Sequence, residues 1–162
     1  MEKYLKPFML LQGALAAAIA WLSNKLGILF PMLVILCFLM AADYITGMLA
    51  SKKEALDHPD NSAYGWCSAK GARGILKKVG YMAVIAVAMT LDYVIMILAG
   101  QVGLDVRKSV FFGLLATAWY ILNEMLSIAE NAGRMGANVP EWMLKYIAVL
   151  KQKIDDKGDG AE

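Results

Sequence analysis

The chain has 162 residues, 59% of them hydrophobic and 19% charged, with a formal net charge of +2. Its mean hydropathy is +0.52, whereas ordinary soluble domains are roughly 45–50% apolar, so the composition excludes a single core folded in water and calls for lipid. The length fits one domain, and the small net charge neither selects nor excludes a charged partner.

In chain order, Pro7 to Asn24 carries no charged residue and includes Phe8, Leu10, Leu11, Leu15, Ile19, Trp21 and Leu22. As a helix it would cover about 27 Å, close to the ~30 Å hydrocarbon core. A signal peptide is a second interpretation, because Lys3 and Lys6 precede the run and Ala18-Ile19-Ala20 offers small residues for cleavage. A third is an alanine-rich helix lying on the membrane surface. The short spacing from Leu22 to Ile28 favours a tight helical hairpin. A second apolar run covers about 28–50 and is interrupted by Asp43, and a polar segment, 51–76, follows it. Further runs cover about 77–100, interrupted by Asp92, and 109–129, interrupted by Glu124. The pattern predicts an all-α integral membrane protein. It would be a bundle of three or four transmembrane helices over 1–130 with a cytoplasmic loop at 51–76, then a C-terminal amphipathic helix within 131–162.

Basic residues orient this arrangement, because cytoplasmic loops carry the surplus of Lys and Arg. With both termini inside, the inner face holds thirteen of them: Lys3, Lys6, Lys52, Lys53, Lys70, Arg73, Lys77, Lys78, Arg134, Lys145, Lys151, Lys153 and Lys157. The outer face keeps three, Lys25, Arg107 and Lys108. If the first run does not span, the start of the second lies outside and the rest is unchanged.

Helices in lipid associate through close packing of small residues rather than apolar burial. Gly13 with Ala17, Ala14 with Ala18 and Ala16 with Ala20 have that spacing, as do Gly113 and Thr117. The charges inside the spans are candidates for function, since an acid at the bilayer centre costs about 2.5–3.5 kcal/mol on insertion scales. By position, Asp43, Glu124, Lys77 and Lys78 can meet near the inner surface as two carboxylates and two ammoniums. Alternatively, each acid snorkels to the interface separately. Asp92 has no such partner by position, so it either faces water in a lumen or is neutralised by protonation.

In the tail, Gly133, Gly136 and Asn138 break the last span and Pro140 suits the start of a new helix. Met143, Tyr146, Ile147, Leu150 and Ile154 fall on one face of it, with Trp142 nearby, while Glu141, Lys145, Lys151 and Lys153 lie mostly elsewhere. A helix so short needs a surface to fold on. The inner leaflet or a neighbouring subunit could supply it, and Glu141, Asp155 and Asp156 favour the neighbour over anionic lipid. From Asp155 to Glu162 the charged, Gly-containing end reads as disordered.

Residues that would support catalysis are not assembled. His58 precedes Pro59 in a loop, Cys37 and Cys67 have neither disulfide nor metal spacing, and there is no phosphate loop or nucleophile motif. The expectation is a protein that is not an enzyme and takes no cofactor, metal or nucleic acid.

Three stretches carry a family likeness. The first is Asp43-Tyr44-Ile45-Thr46-Gly47, followed by Ala50, Ser51 and Lys52; the second is Ser68-Ala69-Lys70-Gly71-Ala72-Arg73-Gly74-Ile75-Leu76-Lys77-Lys78. The third runs from Asn123 to Asn131 and on through Gly136, Val139 and Pro140 to a basic helix with Leu144 and Lys145. Across residues 30 to 153 their order resembles the toxin-secretion/phage-lysis holin family; the first run has no counterpart in it. The resemblance implies accumulation in the host cytoplasmic membrane and sudden assembly into a large homo-oligomer. The resulting lesion would release an endolysin, without binding it specifically, or a cargo toxin. Two other classes stay open: an antiholin or regulatory membrane scaffold, and a small ion-coupled transporter subunit relaying protons through Asp43, Asp92 and Glu124.

Overall fold

A computed structural model describes residues 2–61, 64–104 and 110–159, and every regular element among them is a helix. In order these are α1 (Glu2–Leu26), α2 (Leu29–Asp57), α3 (Ser68–Gln101), α4 (Phe111–Arg134) and α5 (Glu141–Asp159). Three of them, α2, α3 and α4, are long and apolar enough to cross a membrane. The protein is an all-helical membrane bundle.

The arrangement centres on α4, which packs against α2, α3 and α5, while among the described residues α1 touches only α2. Leu36, Ile85 and Ile121, one from each spanning helix, form a buried cluster that Met32, Leu39, Met89 and Tyr120 flank. Outside it the spans present large apolar side chains outward, such as Phe38 at 73% exposure and Val87 at 70%. In water that surface would drive aggregation; in a bilayer it is the lipid-facing surface.

Several boundaries differ from the sequence expectation. The polar segment expected over 51–76 is helical at both ends, since α2 runs to Asp57 and α3 begins at Ser68. Charge marks where a helix leaves the membrane, not where it stops. Lys53 and Asp57, one turn apart and 2.5 Å from each other, support the last turn of α2. The segment read as disordered from Asp155 is helical as far as Asp159. Residues 160–162 lie outside the description, as do Asp105, Arg107 and Lys108 of the expected outer loop.

The first apolar run forms α1 but is not among the three membrane-long apolar helices. Polar residues within it, Gln12, Ser23, Asn24 and Lys25 among them, lower its hydropathy. The packing pair expected there is not at a helix contact among the described residues: Gly13 has open space within 4 Å of a would-be Cβ, and Ala17 is exposed.

At the other end of α4, Gly136 stops the helix with φ +91°. The amide of Ala137 then donates to the carbonyl of Ala132 at 3.0 Å, closing the turn. This reversal sends α5 back along α4.

Candidate functional site

A polar ladder joins the three spans in the half of the bundle nearer the α4–α5 junction. Residues seven apart on α4 (Thr117, Glu124 and Asn131) share the face that meets α2, and all three are buried. Glu124, the deepest charged group, has a side chain only 1% exposed. From α3, the Lys78 ammonium enters between the other two helices. It donates to Asp43 Oδ2 of α2 at 2.8 Å and also to Glu124 Oε2 of α4. The second oxygen of Asp43 accepts from Asn131 Nδ2 at 3.1 Å, and the same amide donates to Thr46 Oγ1 at 3.2 Å. Asn131 Oδ1 in turn accepts from Arg134 Nη1 at 3.0 Å. Arg134 closes the chain with two bonds to the Glu54 carboxylate, each 2.8 Å. A forked pair of this kind fixes geometry better than a single contact.

The ladder explains which small residues the helices need. Gly47 lets α2 approach Asn131, whose Nδ2 would be 3.5 Å from a Cβ there. Gly71 lies under the Tyr44 hydroxyl, 3.0 Å from a would-be Cβ. Between them a cleft of about 310 Å³, lined by Tyr44, Ser51, Trp66, Lys70 and Arg134 among others, opens beside Asp43 and Lys78.

Of the four charges expected to cluster, the structure brings together Asp43, Lys78 and Glu124 and leaves Lys77 out. One step round α3 from Lys78, Lys77 sits 5.6 Å from the centroid of the Tyr81 ring. That places one ammonium, not two, between two carboxylates. Depth in low dielectric makes each partner dependent on the other: one removed leaves an uncompensated buried charge.

Within one chain Asp92 is enclosed between α3 and α4. It is 7% exposed and caps α4 from a neighbouring helix. Its Oδ1 accepts from the Phe112 amide at 2.9 Å and its Oδ2 from the Gly113 amide at 2.8 Å. These N–H groups open the helix and have no intrahelical partner, and the positive end of the α4 dipole favours a carboxylate there. The residue at the cap position, Val110, supplies no such bond. Gly113 belongs to the same joint: a Cβ on it would meet Met89 Cγ at 3.0 Å, Asp92 Oδ2 at 3.3 Å and Leu29 Cδ2 at 3.4 Å. Thr117 returns its hydroxyl to the Gly113 carbonyl at 2.7 Å. Gly113 and Thr117 thus do lie where helices meet.

A second polar group, not evident in the sequence, links α5 to the spans. Lys151 donates to Asn123 Oδ1 at 3.1 Å and lies 4.4 Å above the Trp119 ring. Asn123 donates onward to the Tyr81 hydroxyl at 2.8 Å, and Tyr81 stacks on Tyr120 at 4.0 Å. The expected contact face of α5 is therefore rotated. Ile147 is 5% exposed, while Tyr146 at 67% and Leu150 at 49% point away. Met143, Leu144, Lys151 and Ile154 are half-buried. The lysine belongs to the packed face because its ammonium lies over the Trp119 ring and also has Asn123 as a polar partner. The surface on which α5 folds is the chain's own α4.

Among the described residues no group of His, Cys, Asp and Glu could hold a metal, and Cys37 and Cys67 are free. The ladder therefore offers charge pairing across helices.

Known proteins place this architecture. An uncharacterised protein of Halalkalibacterium halodurans is 36% identical over 139 residues, 86% of this chain and 90% of that protein. One from Listeria innocua is 32% identical over 142 residues, covering 87% and 84% respectively. Another, from the nagH 3′ region of Clostridium perfringens, is 31% identical over 144 residues, covering 83% and 94%. No solved structure matches the chain. The model of the bacteriophage holin family matches residues 20–152, the stretch that holds α2 to α4, both polar groups and most of α5. The chain is a member of the bacteriophage holin family.

Proposed function

We propose that this protein is a lytic holin. It accumulates in the cytoplasmic membrane of the bacterial host, assembles into a large homo-oligomer and opens a lesion. Through that lesion an endolysin, or in another setting a toxin, leaves the cell without binding specifically. The observation that carries the proposal is a membrane bundle, in a holin-family chain, whose charges are satisfied internally. With Asp43, Lys78 and Glu124 paired inside one copy, single copies can collect in lipid without harm. Copies that open toward one another can then turn the same groups to water. The family is not one of enzymes, and the work assigned to these residues is assembly.

A proton relay through Asp43, Asp92 and Glu124 is less well supported, because both Asp92 oxygens are held by backbone amides of α4. The antiholin alternative makes the opposite prediction in cells. Inducing the chain together with a cytoplasmic endolysin is expected to give sudden lysis after a silent interval. Continued growth, with lysis restored only by another holin, would identify a regulator instead.

For orientation, we place the 58–67 loop and the α4–α5 junction in the cytoplasm, with α1 as a fourth crossing and both termini inside. Lys3→Cys and Lys157→Cys, in a chain with Cys37 and Cys67 replaced by serine, should resist a membrane-impermeant thiol reagent added to intact cells before lysis. Strong labelling at position 3 alone would make α1 a non-spanning helix; labelling at 157 would invert the bundle.

A further inference from the structure

The position of α5 conflicts with its composition if lipid surrounds the bundle. Ile147 shares a cleft with Met125 and Ala129 near the inner end of α4. Halfway along, Lys151 reaches Asn123 and Trp119. Farther on, Ile154 and Asp155 share a cleft with Phe112 and Leu115, beside the outer end of α4 that Asp92 caps. The 19 residues of α5 reach about 28 Å, so the helix runs antiparallel to α4 along most of its apolar length. Yet α5 is not one of the helices apolar enough to cross a membrane. The arc it turns away from α4 carries Glu141, Lys145, Gln152 and Lys153, all exposed, interleaved with exposed Trp142, Tyr146 and Val149. Charged side chains that face hydrocarbon are heavily penalised, whereas those that face a water-filled cavity are not. Its docked face, by contrast, is specific, with Ile147 buried and Lys151 hydrogen-bonded.

We infer that α5 is the water-facing wall of the lesion. While lipid surrounds the chain, α5 lies outside the hydrocarbon at the inner surface. When copies part around water, α5 folds back along α4, covers the side that carries Trp119 and Asn123, and presents the arc with Glu141, Lys145 and Lys153 to the lumen. Docking and opening then favour each other, as any two linked equilibria must. The inference rests on the proposed lytic function and adds which helix lines the hole.

Cross-linking inside living cells tests it. Leu115→Cys and Ile154→Cys, in a chain with both native cysteines changed to serine, are treated with a short, membrane-permeant bismaleimide. Samples are taken before lysis and at its onset, and lysis is timed in parallel. The intramolecular cross-link is expected to rise at least about fivefold at onset, and to rise equally early when an uncoupler triggers lysis. Lysis on schedule with the same yield before and after, or with no cross-link at all, overturns the inference and leaves the lytic function standing. Should this double variant fail to lyse, Phe112→Cys with Asp155→Cys carries the same test. A parent chain that never lyses cells overturns both.

Discussion

Lys78→Met is expected to abolish lysis and to weaken the bundle by about 3–5 kcal/mol, the cost of breaking a buried ion pair from one side. Lys78 is the one ammonium between Asp43 and Glu124, and Glu124 is almost wholly enclosed. Methionine fills similar space but leaves two carboxylates without their shared counter-ion. Either water enters or α4 moves away from α2 and α3. The triple variant Lys78→Met, Asp43→Asn, Glu124→Gln removes the charges together and should recover most of the lost stability, since whole buried pairs are often replaceable. Lysis timing should recover less, because the wet state then lacks its charges. Resistance of the detergent-solubilised bundle to SDS reports the first quantity, and the lag before lysis reports the second. If Lys78→Met behaves like Lys77→Met, which removes an ammonium lying over Tyr81, the ladder does not hold the spans together.

Gly113→Leu is expected to be the next most damaging single change, at about 2–4 kcal/mol. Even the first carbon of the new side chain would lie 3.0 Å from Met89 and 3.3 Å from the Asp92 carboxylate. Overpacking alone costs about 1–3 kcal/mol. If Asp92 is displaced, the Phe112 and Gly113 amides also lose their acceptor in a medium without water, at about 1–3 kcal/mol for a buried orphan. Gly113→Ala should cost about 1 kcal/mol, because the Met89 side chain can swing aside. Asp92→Leu tests the same joint from α3 and should resemble Gly113→Leu. SDS resistance at wild-type level for both would contradict the cap.

Which features were legible in the sequence follows from the distances that pattern can see. The spans were, because each needs a long apolar run, and α2, α3 and α4 have one. The meeting of Asp43, Lys78 and Glu124 was partly legible: consecutive spans that run in opposite directions bring the end of one and the start of the next to a common depth. Exclusion of Lys77 was not, because depth says nothing about which way round α3 a side chain points. The role of Asp92 was hidden for a related reason. Its partners are backbone amides 20 and 21 residues away, and amides have no sequence signature. In α5 the apolar pattern admitted Tyr146 and Leu150 to the contact face and kept Lys151 off it. Packing chose otherwise, since a lysine ammonium held by the Trp119 ring and Asn123 outweighs a ring that can remain exposed. For α1, length and lack of charge suggested a span, but polar residues such as Gln12, Asn24 and Lys25 left it, among the described residues, short of the other three in hydropathy.

The central claim is that many copies of this chain open a hole wide enough for a folded protein. The endolysin co-expression tests it most directly when release is followed in time against the amount of chain in the membrane. Membrane potential and appearance of a folded cytoplasmic protein in the medium should be recorded together. The account predicts no loss of either until a threshold amount is reached, then collapse of the potential and escape of the protein within the same short interval. A graded loss of potential from low amounts, with the folded protein retained throughout, would contradict it.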